Sequence, residues 1–83
     1  MEIIIKISKG QSLSGKEIVT YKQGRKTLGW TEFMEYNRKW CNCKKGYSFS
    51  ASDTLERAIE VMKEHLVNVL NPFGNNIIKF QAL

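Results

Sequence analysis

Cys41 and Cys43, the only cysteines of this chain, are separated by one residue inside the stretch RKWCNCKKGY (38–47). A structural zinc takes four ligands, usually Cys and His in paired clusters. The chain has two cysteines and a single histidine, His65, so one copy supplies three candidate ligands at most. Two copies together could build a shared site of four thiolates, which the sequence allows without supporting. The spacing also differs from the C-x-x-C of redox enzymes. Arg38, Lys39, Lys44 and Lys45 around the pair could lower a thiol pKa, but a free cysteine most often packs as a small hydrophobe. Neither a metal nor a redox role is expected, and both thiols read as free, as in a reducing cytoplasm.

A second stretch invites a chemical reading. Gly10 to Glu17 (GQSLSGKE) nearly spells the phosphate loop G-x-x-x-x-G-K-[ST], in which backbone N–H groups, a lysine and a hydroxyl hold phosphates and magnesium. Glu17 stands where the hydroxyl is needed and puts negative charge beside the phosphates. The chain is also too short for the parallel sheet that such a loop serves, so the segment reads as an ordinary loop. His65 has no evident partner for general-base work, and Ser50, Ser52 and Asp53 are better explained as residues leading into a helix. No catalytic residue, no metal ligand and no cofactor is assigned. The chain reads as a non-enzyme.

The charge distribution is more informative. The net charge is +5, and residues 16–49 carry all of it, with eight cations against Glu17, Glu32 and Glu35. Seven of the nine aromatic residues fall in the same segment. Cations release counterions from phosphates, and exposed aromatics offer unpaired bases a surface to stack on. Lys22, Arg25, Lys26, Arg38, Lys39, Lys44 and Lys45 are therefore the candidate backbone contacts, with Tyr21 and Tyr47 as candidate stacking groups. In a domain this small Trp30, Phe33, Trp40 and Phe49 suit the core better than a platform.

These residues need a scaffold. Eighty-three residues make one domain, 1–83, with a small core. No apolar run approaches the ~20 residues that cross a bilayer, and MEIIIKIS starts acidic and is too short for a secretory signal. Residues 2–7 are β-branched and read as a strand. Residues 17–30 read as two strands around Gln23-Gly24, where glycine supplies the positive φ of a tight turn. A helix-turn-helix over 14–36 fits less well, because Ile18, Val19, Thr20 and Thr27 disfavour a helix and Gly24 interrupts it. Trp30, Phe33, Met34, Trp40 and Cys41 recur at helical spacing, which predicts a short helix over 31–41. Residues 46–50 read as a strand. Leu55, Ala58, Ile59, Met62, Leu66, Val69 and Leu70 form the apolar stripe of a long helix over 53–70, capped by Ser52 or Asp53 and ended by Asn71-Pro72. Residues 77–80 form a last strand that could pair with 2–7. The expected fold is α+β: a small, mostly antiparallel sheet of about four strands packed by one long C-terminal helix.

In general composition the chain is similar to small accessory proteins of phages and mobile elements, a likeness that carries no residues across. Two functions follow as expectations. The first is a non-enzymatic binding module whose basic face contacts nucleic acid. The second is an accessory protein whose cations meet an acidic host protein, such as a defence or transcription factor, and so inhibit or modulate it. No membrane partner is expected, and the oligomeric state is left open.

Overall fold

Ile3, Ile5 and Ile7 are buried while Glu2, Ile4 and Lys6 are exposed, the alternation of a strand with one covered face. The computed structural model describes residues 1–82 and places these isoleucines on β1 (Glu2–Gln11). There follow β2 (Glu17–Gln23), β3 (Lys26–Met34), β4 (Lys39–Lys44), β5 (Tyr47–Ser52), α1 (Leu55–Leu70) and β6 (Ile77–Ala82). The strands form one sheet in the order β5-β4-β3-β2-β1-β6. β1 to β5 make an antiparallel meander, and β6 returns parallel to β1, so the sheet is mixed. Gly24 (φ 60°) and Gly46 (φ 92°) occupy the β2–β3 and β4–β5 turns, in the left-handed region that glycine enters without a Cβ clash.

The broad α+β class stands, but the element counts do not: among the described residues six strands replace about four, and a single helix replaces a long and a short one. The predicted helix over 31–41 is the end of β3, a turn and the start of β4. Strand alternation fails there only when it is counted through Arg38 as though 30–41 were one strand. Arg38 instead holds a left-handed φ of 56° in the turn, which resets the count. β3 and β4 also bear apolar or buried side chains on both faces, so neither shows a clean period of two. The long helix starts at Leu55, and its N-cap is Thr54 rather than Ser52 or Asp53; the Thr54 hydroxyl accepts from Arg57 N at 3.2 Å.

α1 covers one face of the sheet. Ala58, Met62 and Leu66 are its buried residues, and Met62 and Leu66 share a cluster with Ile3, Ile5, Ile7, Val19 and Tyr21. Gly29 lets the helix approach: a Cβ there would meet Cys43 O at 2.7 Å and Met62 Cε at 3.1 Å. Beneath the helix runs a buried polar chain. Thr31 Oγ1 donates to Asn42 Oδ1 at 2.5 Å, which leaves it to accept from Tyr21 Oη at 2.8 Å. The Asn42 amide then donates to Ser50 Oγ (2.9 Å) and to Ala58 O of α1 (2.8 Å). These bonds tie β2, β3, β4, β5 and the helix together and leave the Asn42 amide satisfied, as burial requires.

His65 lies on the same side of the sheet. Its ring stacks on Phe49 at 4.3 Å between centroids, and among the described residues its buried Nε2 has no hydrogen-bond partner. Burial, and then the Lys44 charge, hold its pKa below the ordinary 6.5. The folded state therefore binds this proton less readily than the unfolded chain, so stability falls as pH drops through 6.5. A melting series should show the midpoint declining between pH 7 and 5, and declining less in His65→Leu. Equal slopes for the two proteins would assign the pH dependence elsewhere.

Candidate functional site

The meander decides where the candidate residues go. In a run of antiparallel hairpins, alternate turns share one end of the sheet. The β2–β3 and β4–β5 turns therefore share an end, about 10 Å apart across two strand spacings. Lys22, Arg25 and Lys26 lie at the first turn, and Lys44, Lys45 and Tyr47 at the second. Tyr47 is 58% exposed, and Lys22, Arg25, Lys26 and Lys45 are all exposed. Among the described residues, ion pairs engage Lys16, Lys39, Arg57 and Lys79, none of which belongs to this group. Five cations thus share one end of the sheet with no carboxylate partner.

Arg38 and Lys39 are not part of it. Arg38 lies in the β3–β4 turn and Lys39 opens β4, both at the opposite end. Lys39 pairs with Asp53, whose carboxyl it holds below the ordinary carboxylate value, and Lys16 approaches Glu35 at 3.9 Å. Tyr21 leaves the candidate set for a different reason. It is fully buried in the core and hydrogen-bonded to Thr31, so its ring cannot stack on an external base. It shares the inward parity of Val19, two residues earlier on β2.

The register adds one residue that sequence reading passed over. Lys6 lies directly opposite Lys22 on the antiparallel β1–β2 pair, and both are exposed. Like charges in facing positions destabilise a sheet, and here they extend the basic end onto β1. The outward parity of Lys6 was readable between Ile5 and Ile7, but its neighbour across the ladder was not.

The cysteines lie on the face of the sheet away from α1. Asn42 points at the helix, so Cys41 and Cys43 on either side of it point the other way, paired in register with Glu32 and Trp30. Both are nonetheless only 2% and 3% exposed. The Trp30 Nε1–H donates to Glu32 Oε1 two residues along the same strand (3.4 Å), and the same oxygen accepts from the Cys43 thiol at 3.8 Å, so Trp30 and Glu32 share the face of the cysteines. Burial, the Glu32 carboxylate and Cys41 push the Cys43 thiol up to about 11. A thiol held protonated is a poor nucleophile. Iodoacetamide at pH 8 should therefore leave Cys43 unmodified in the native protein and label it in guanidinium, read by peptide mass spectrometry. Rapid native labelling would contradict this burial. Among the described residues no three Cys, His, Asp or Glu side chains come together to hold a metal ion.

No pocket opens among the described residues, and no helix among them is long and apolar enough to cross a membrane. Compared with protein families, curated proteins and solved structures, the chain matches none.

Proposed function

We propose that the chain is a non-enzymatic binding module whose basic end grips the phosphates of a nucleic acid. One observation carries the reading: the meander gathers Lys22, Arg25, Lys26, Lys44 and Lys45 at one end, none paired with an acid among the described residues. The facing Lys6 and Lys22 add to it, because a polyanion relieves the repulsion between them. Two free thiols suit a reducing, cytoplasmic setting.

A salt titration tests this reading. Binding of a labelled oligonucleotide by about five cations should weaken with a log–log slope near −3.5 for a single strand. Absence of binding to either single- or double-stranded oligonucleotides at low salt would end it. An acidic protein surface is the second reading, favoured by the exposed Tyr47 beside the same cations, since tyrosine often anchors interfaces. A protein partner that stays bound after nuclease treatment, with no oligonucleotide binding, would move the assignment there.

A further inference from the structure

We infer that the sheet face opposite α1 stacks an unpaired base on Trp30, which makes single-stranded nucleic acid the ligand of the basic end. This rests on the phosphate-binding reading above and specifies its substrate class. The first support is the pose of the indole. Trp30 is half-buried, its Nε1–H is held by Glu32, and the cysteines beside it are almost fully covered although no helix lies on that face. An indole held at its edge by Glu32 and only half-buried keeps part of its surface open to solvent. The second support is the room around it. Thr20 faces Trp30 across the β2–β3 pair and Ser8 faces Thr20 across β1–β2, so the flanking side chains are small.

The third support is charge. Lys22 lies two residues beyond Thr20 on β2, on the same face, with Lys6 opposite it. Two residues of strand span about 7 Å, a length comparable with that from a nucleotide's phosphate to its base. Glu32 sits on the other side of the indole from these lysines. A nucleotide on Trp30 therefore lies with its phosphate toward Lys6 and Lys22 and away from the carboxylate. A base inside a duplex is paired and stacked on its neighbours, and only an unpaired one can lie on an aromatic side chain in this way.

Trp40 is the other tryptophan and packs edge-on against Phe33, 5.3 Å between centroids, so Trp40→Phe leaves Trp30 as the sole indole reporter. In that variant, oligothymidylate at low salt should quench the fluorescence, whereas inorganic polyphosphate should bind and compete without quenching. Trp30→Leu should weaken oligothymidylate binding roughly tenfold, the worth of one stacked base, and leave polyphosphate binding unchanged. Oligothymidylate binding without quenching, or with full affinity in a folded Trp30→Leu protein, would overturn the stacking platform and leave the basic end intact. If neither oligothymidylate nor polyphosphate binds, the phosphate-binding reading itself falls. Should Trp30→Leu fail to fold, the quenching in Trp40→Phe decides alone.

Discussion

Lys22→Glu, Arg25→Glu, Lys26→Glu and Lys45→Glu together should abolish oligonucleotide binding while the protein stays folded. The size of the loss follows from counterion release. Five phosphate contacts give a single-strand slope near −3.5, so wild-type affinity already drops roughly 100-fold between about 50 and 200 mM salt. Reversing four of those charges removes their contacts and adds repulsion, so at about 50 mM salt the loss should exceed that 100-fold. All four side chains are exposed, and Lys44, whose ammonium lies 5.9 Å from the Phe49 ring, is left in place. Surface changes of this kind typically shift stability by no more than about 0.5 kcal/mol. A melting midpoint no lower than that of wild type would then assign the loss to the interface. Retained affinity would place binding elsewhere.

Asn42→Ala should cost about 3 kcal/mol of folding stability. Asn42 is fully buried, and its side chain links Thr31, Ser50 and the carbonyl of Ala58. Alanine leaves the Thr31 hydroxyl without its acceptor, frees Ser50, and opens a cavity between sheet and helix. Each buried unsatisfied group costs roughly 1–3 kcal/mol, against a total stability of roughly 4–12 kcal/mol expected for a domain of this length. Guanidinium melts should show a large drop in midpoint with little change in slope. A loss under about 0.5 kcal/mol would mean that other contacts, not this network, seat α1 on the sheet. Asn42→Asp tests the same point separately, since it keeps the volume but removes the donors to Ser50 and Ala58.

What the sequence disclosed, and what it hid, follows from the range of the interactions involved. The β2–β3 hairpin was legible because β-branched residues flank Gly24, and α1 because its apolar stripe runs uninterrupted to Asn71-Pro72. The pairing of β6 with β1 was also legible, although its parallel direction was not. β3 and β4 were hidden by the turn at Arg38 and by having covered side chains on both faces. The helix lies over Thr31 and Asn42, and Cys41 and Cys43 are buried on the other face, which they share with Trp30 and Glu32. The candidate site was legible as a set of cations but not as a place. Whether Arg38 and Lys39 join Lys22, Arg25 and Lys26 depends on how many strands separate them, and reading 31–41 as a helix removes that information. Tyr21 resembles a contact residue because its neighbours are basic, yet one residue of strand parity turns it into the core while Lys22 faces out.

Placement at one end is the central claim, and a pair of variants with equal net charge tests it most directly. Lys22→Gln, Arg25→Gln and Lys26→Gln remove three cations from the basic end; Lys9→Gln, Lys16→Gln and Arg38→Gln remove three from the opposite end. With affinities for one oligonucleotide measured at about 50 mM salt, the first variant should lose at least tenfold and the second should stay within about twofold of wild type. Equal losses in the two would show that binding follows net charge alone and would contradict a site built by the β2–β3 and β4–β5 turns.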